Sequence, residues 1–409
     1  MILFLSSISA IKNFKKLPKS FKILGLLVVC TFVFELLAFY LAKTRHNNIV
    51  VYVSWMPIEV ILMVWAYYTF HTDSVFRKTT VALMLLLGGC SMGIFDFMRD
   101  KKEREPDDLA DFDSEVRLRR NWSMNVGSGQ GDKFNRLKPA LDNGIIYASA
   151  NNGLVVAVEA ETGKRLWRAD LDVEISGGVG VGGGMVLVGT EGAAVYALDA
   201  QSGEQRWQTT VSSEVLSSPA SDGRFVVVQS VDGRITGLDA ANGSLLWTYE
   251  NPVPALSLRG TSSPLIIGNA VLSAQAGGSV VSLALDNGTL RWEERVAIPT
   301  GNSDIDRLVD IDGELVVGDN NLLLVPSYQG YLSAIDSNTG QTRWRVEESS
   351  DVGAGFGFGN IYVVSEDDTV KAWRVGQDAP QWSNDHMTWR QLSSPTGFSN
   401  YLAVGDAEG

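Results

Sequence analysis

Hydrophobic and polar positions along the second half of the chain follow one short pattern that returns again and again. In the segment from Gly153 to Trp167, Val155, Ala157 and Glu159 alternate with Val156, Val158 and Ala160, the two-residue period of a β-strand. A polar turn follows whose glycine supplies the positive φ that side-chain-bearing residues resist, and the partner strand then ends on a tryptophan. Upstream, Pro139 to Ala148 reads as a second hairpin around Asp142-Asn143-Gly144. Each unit of about 40 residues therefore predicts four strands, and no segment of this region has a helical period.

The unit repeats. Trp167, Trp207, Trp247, Trp292, Trp344 and Trp382 are spaced by 40, 40, 45, 52 and 38 residues. Gly163, Gly203, Gly243, Gly288 and Gly340 each stand four residues before one of the first five. Four-stranded units of this length, stacked radially, predict an all-β fold, a β-propeller of four-stranded blades, over residues 122–409. A solenoid is the weaker alternative, because it uses fewer strands per repeat. Asn121 to Val126, with Trp122, reads as a strand with no three strands before it, as if it closed the last blade of a ring. Six units follow, and residues 393–409 begin a seventh, so the expectation is a C-terminally truncated propeller.

The first 121 residues behave differently. Residues 23–42 and 49–70 are apolar runs of about twenty residues, long enough to cross a bilayer core of roughly 30 Å, so 1–74 is expected to be a membrane-spanning extension, foreign or misassigned to this chain. Five lysines ahead of the first run favour a cytoplasmic N-terminus. Residues 75–89 have the form of a signal peptide: Arg77-Lys78, an apolar run too short to span, then Leu87-Gly88-Gly89 before Cys90. That ending resembles the lipobox of bacterial lipoproteins, which implies acylation of Cys90. Residues 90–121 read as the lipidated cysteine and a charged, solvated tether.

Charge and residue counts then exclude whole classes of chemistry. Residues 1–89 carry nine Lys/Arg against three Asp/Glu, whereas the remaining 320 carry 25 against 44. A strongly acidic body is a poor match for nucleic-acid phosphates. The only cysteines are Cys30 and Cys90, and the only histidines His46, His71 and His386, which leaves the body without a thiolate or His-cluster metal site or a conventional Ser-His-Asp triad. Gly178 to Gly183 matches G-x-G-x-x-G, but no helix follows it, so dinucleotide binding is not expected. Asp310-Ile311-Asp312-Gly313 has the start of a calcium loop without its later ligands.

The leucine-aspartate-alanine, glycine and tryptophan repeats resemble those of pyrroloquinoline-quinone (PQQ) dehydrogenase-like propellers. Within that group, the lipobox, the acidic tether, Asn121 to Gly129, Leu256-Ser257-Leu258-Arg259-Gly260 and Ile305 to Asp312 are similar to the BamB family of outer-membrane lipoproteins. The resemblance covers about residues 77–409. It implies an eight-bladed ring, no cofactor and no catalysis. It also implies a scaffold that binds the POTRA domains of BamA and other BAM complex subunits at the periplasmic face of the outer membrane, and aids insertion of unfolded outer-membrane β-barrel proteins. Residues implicated in BamA contact map onto Leu256, Leu258, Arg259, Asp310 and Asp312.

The spacing singles out the same segments. The two longest intervals between tryptophans contain them, and surplus length in a repeat goes to loops that gather on one face. An arginine beside leucines has the composition of a binding hot spot, and paired aspartates offer charge steering. Two other readings stay open: Leu256 and Leu258 as the inner face of a strand, and the aspartates as a solvated loop. The alternative function is a PQQ-dependent dehydrogenase, which shares the repeat. Against it stands the absence of adjacent cysteines in the body. A third possibility is a propeller that caps a membrane complex through its fused spans.

Overall fold

A computed structural model describes residues 106–109, 116, 119–131, 135, 137–251, 253–254, 261–298 and 309–407. The expected spans at 23–42 and 49–70, the signal at 75–89 and Cys90 lie outside them. Among the described residues no helix is long and apolar enough to cross a membrane.

The described chain is all-β. Six antiparallel sheets of four strands follow one another in sequence order, each with its strands in simple up-and-down succession, and a two-stranded hairpin follows them. Blade one consists of Ala140–Asp142, Ile145–Ser149, Leu154–Glu159 and Arg165–Asp170. Blades two to six span 175–210, 220–249, 265–295, 316–347 and 355–384, and the hairpin pairs Thr396–Phe398 with Tyr401–Ala403. First strands of successive blades touch where blades one to four and five to seven meet, so the first strands line the centre of a β-propeller.

The two-residue alternation is real but does not sort inside from outside. Leu154 to Val158 are all buried, as are Met185 to Thr190. Each blade is covered on both faces, and the apolar clusters lie between sheets. Tyr147, Val155 and Trp167 of blade one pack with Ile175, Val186 and Tyr196 of blade two. Met185, Leu187 and Trp207 of blade two pack with Val226 and Leu238 of blade three. A strand buried on both sides reads as a continuous apolar run.

The tryptophans join the blades, and they sit inside their strands rather than at the ends, as the repeat had suggested. Trp167 is the third residue of Arg165–Asp170 and is 8% exposed. Its Nε1–H donates to the carbonyl of Ala200 in blade two at 2.9 Å. Trp207 does the same to Ala240, and Trp247 to Leu285, both at 2.9 Å. Each of these rings also lies against the turn glycine of the following blade: Trp167 against Gly203, Trp207 against Gly243 and Trp247 against Gly288. Burial of such a side chain removes roughly 150–250 Å² from water, on the order of 4–6 kcal/mol before ordering costs.

Trp122 occupies the equivalent place ahead of blade one. Its Nε1–H donates to the Ala160 carbonyl at 2.9 Å and its ring meets Gly163. Residues 119–126 are not assigned to a strand, although Trp122, Met124 and Val126 pack on Leu154, Val156 and Val158. Residues 106–109, expected to be free tether, are exposed but held: Asp107 is hydrogen-bonded to Thr388 and Arg390.

The glycine-rich run is explained by packing. Ile175–Gly182 is the innermost strand of blade two, and a Cβ on Gly177 would lie 2.7 Å from the Ser217 carbonyl oxygen. One on Gly180 or Gly182 would overlap the carbonyl of Pro219 or Ser221. The inner strands of blades two and three meet backbone to backbone, which only glycine permits.

Candidate partner-binding face

An up-and-down sheet of four strands sends its connection to the next blade, and the turn between its second and third strands, to the same face of the ring. That connector face is where both long tryptophan intervals put their extra residues. The connector between blades three and four runs from Glu250 to Pro264, and that between blades four and five from Val296 to Leu315.

Leu256, Leu258 and Arg259 lie outside the described residues, but the first connector is described at 253–254 and 261–264 and the second at 296–298 and 309–315. They lie side by side: the Ser262 hydroxyl donates to the Gly313 carbonyl at 2.8 Å, three residues past Arg259 and one past Asp312. Thr261, Ser262, Asp310, Ile311 and Asp312 also line one small cavity of about 20 Å³, together with Gln229 to Val231 and Gly233 of blade three. The structure therefore brings together two segments about fifty residues apart.

Asp310 and Asp312 are not a displayed acidic pair. They are 2% and 8% exposed, whereas the sequence had suggested steering carboxylates or a solvated loop. Asp310 is fixed by its backbone, since its carbonyl accepts from the Tyr328 N–H at 2.8 Å in an antiparallel bridge to the turn of blade five. Its Oδ1 accepts from the Ile311 N–H at 2.9 Å, and Ile311 is itself buried. Carboxylates at that depth act on the shape of the connector, because a buried charge must be met by local partners. Glu314, two residues on, reaches the central channel and pairs with Lys138 of blade one at 2.5 Å.

Several polar residues around this site were missed in the sequence. Gln229, Ser273 and Gln275 form a buried chain: Gln275 Nε2 donates to Ser273 Oγ at 2.8 Å, Ser273 Oγ to Gln229 Oε1 at 2.5 Å, and Gln229 Nε2 to the Ala274 carbonyl at 2.8 Å. Arg234 joins Asp232 to Glu250, the residue that opens the first long connector, with both contacts at 3.0 Å. Burial pushes the Asp232 carboxyl up, but hydrogen bonds from Ser230, Ser212 and the Arg234 N–H, with the Arg234 charge, hold it below the usual carboxylate range. One signal was available. Ser-Ser-Pro recurs at 217–219, 262–264 and 393–395, each time just before an inner strand. Its serines bond to the neighbouring connector, as Ser262 does to Gly313 and Ser394 Oγ does in accepting the Gly353 N–H at 2.9 Å.

Among the described residues no three His, Cys, Asp or Glu side chains converge as a metal-binding group.

Comparison with known proteins places the chain and its fold in one family. The family model described as outer membrane protein assembly factor BamB matches residues 122–384. The outer membrane protein assembly factor BamB of Pseudomonas aeruginosa is 56% identical over 329 residues, 80% of this chain and 85% of the relative. That of Escherichia coli K12 is 35% identical over 334 residues, 79% and 84% of the two chains. The crystal structure of BamB from Moraxella catarrhalis superposes with a TM-score of 0.63 at 32% identity, covering 68% of this chain and 84% of that one. The quinohemoprotein alcohol dehydrogenase of Comamonas testosteroni, at 16% identity and a TM-score of 0.54 over 68% of this chain and 64% of that one, shares the fold alone. With a family match across the propeller and relatives well above 30% identity over four-fifths of its length, the chain belongs to the BamB family of outer membrane protein assembly factors.

Proposed function

We propose that this chain is a non-catalytic scaffold of the outer-membrane β-barrel assembly machinery, held to the periplasmic face of the outer membrane by lipid on Cys90. Its connector face binds the POTRA domains of BamA, and through them the other BAM subunits and unfolded outer-membrane proteins. The observation that carries this reading is the Ser262–Gly313 hydrogen bond, which sets the two long connectors side by side as one surface. Leu256, Leu258 and Arg259 supply the contact, as apolar side chains around an arginine do at binding hot spots. Asp310 and Asp312, themselves buried, hold the surface in shape rather than touch the partner.

The test is replacement of the resident BamB in a bacterial strain. Wild-type protein is expected to restore outer-membrane β-barrel levels, and Cys90→Ala to be uncleaved, unlipidated and impaired. Failure of the wild type to restore them, or reduction of a dye with added PQQ and an alcohol substrate, would overturn the proposal.

A further inference from the structure

The connector between blades six and seven is built more rigidly than its exposure suggests. Its backbone is pinned to the second turn of blade six: Gln391 N–H and Leu392 N–H donate to the Asp368 carboxylate at 2.7 and 2.9 Å, and Trp389 N–H to the Asp367 carbonyl at 3.2 Å. Within it Arg390 is 6% exposed, and its Nε is paired with Asp406 Oδ2 at 2.7 Å. The same guanidinium extends Nη1 to the carbonyl of Asp107 at 2.9 Å. Asp107 N–H donates to the Thr388 carbonyl at 3.0 Å, and the Thr388 hydroxyl donates to the Asp107 carboxylate. One residue, fifteen positions ahead of Trp122, thus uses its amide, carbonyl and carboxylate together on one connector.

We infer that residues 106–109 are a strap that fixes the chain's departure from the propeller on the connector face, the same side of the ring as the partner-binding connectors. An acidic segment gains little from leaving water for a single exposed contact. Three simultaneous hydrogen bonds, two of them charge-assisted and one of those from a buried arginine already oriented by Asp406, give the docking a defined geometry. The consequence is one of length. Among the described residues, the first side chain packed on the blades without the strap is Trp122, 32 positions after Cys90. With it, that point is Asp107, 17 positions after Cys90 in the sequence. The connector face is then turned toward the membrane, and the opposite face, with its first and third turns, away from it. This orientation rests on lipidation of Cys90, whereas the strap itself does not.

Two measurements on the full chain test it. In hydrogen exchange followed residue by residue, the Asp107 amide is expected to exchange at least tenfold more slowly than an unstructured amide. Thr388→Val or Arg390→Lys should remove that protection while Val156 and Ala157 in blade one stay protected. An unprotected Asp107 amide in the wild type overturns the strap, whatever becomes of the anchor. For orientation, lipidated protein is bound to vesicles of phosphatidylethanolamine and phosphatidylglycerol carrying a headgroup quencher, with a fluorophore on Asp385→Cys at the connector face or Asn338→Cys at the opposite face. Several-fold stronger quenching at 385, equalised by Asp107→Pro, is expected. Equal quenching in the strapped protein overturns the orientation. Failure of the wild type to float with vesicles counts against lipidation, leaving the exchange result to decide the strap.

Discussion

The ring of Trp167 lies against Gly203, a residue of the next blade that stands four positions ahead of that blade's own tryptophan. A Cβ at Gly203 would sit 2.6 Å from the indole, and the residue's φ is +76°. Two separate costs therefore meet there. Gly203→Ala is expected to destabilise the propeller by about 2–5 kcal/mol, from the left-handed backbone and the overlap with Trp167 combined. Gly144, at φ +77° with nothing within 4 Å of its Cβ, isolates the backbone cost, so Gly144→Ala should lose only about 1–2 kcal/mol. Denaturant unfolding of the two variants checks the difference.

Trp247 and Trp292 provide a matched pair for the hydrogen bond. Trp247 Nε1–H donates to the Leu285 carbonyl, whereas Trp292 Nε1–H has no partner among the described residues. Trp247→Phe strands a carbonyl that Trp292→Phe does not. The first substitution is expected to cost about 1–2 kcal/mol more than the second, read from chemical denaturation midpoints.

The turns carry a pH dependence of known sign. Asp199 is held down to about 2 by the hydrogen bond from Arg206, with further bonds from the Ser202 and Gln201 amides. A carboxyl whose folded pKa lies below its unfolded value adds stability above pH about 4 and loses it as pH falls toward 2. Asp199→Asn should flatten that limb of the stability curve, leaving neutral-pH behaviour of the other turns unchanged. A limb of unaltered slope in unfolding scans between pH 2 and 5 would assign the acid sensitivity elsewhere.

These residues also show what the sequence could and could not convey. The repeat was legible because glycine and tryptophan recur at fixed spacing. The partner of each glycine was not, since a register of four within one blade looks the same as a contact with the blade before. The candidate face was legible through loop length alone: 45 and 52 residues between tryptophans must place their surplus somewhere. Depth was not. Asp310 and Asp312 read as surface acids because charged residues are usually exposed, whereas the connector is folded in, with Asp310 bridged to Tyr328. The Gly180 region resembled a phosphate loop for the same reason, since close backbone approach to a neighbouring strand and to a ligand call for the same residue.

Calorimetric titration of the full chain with BamA POTRA domains, in wild type and in Arg259→Ala and Asp312→Ala variants with melting followed in parallel, tests the central claim most directly. Arg259→Ala is expected to weaken binding more than tenfold with a scarcely altered Tm, as truncation of an interface contact does. Asp312→Ala, whose carboxylate is buried, should lower both affinity and Tm. Wild-type affinity in the Arg259 variant would contradict the account, because the two connectors would then be neighbours without being the binding surface.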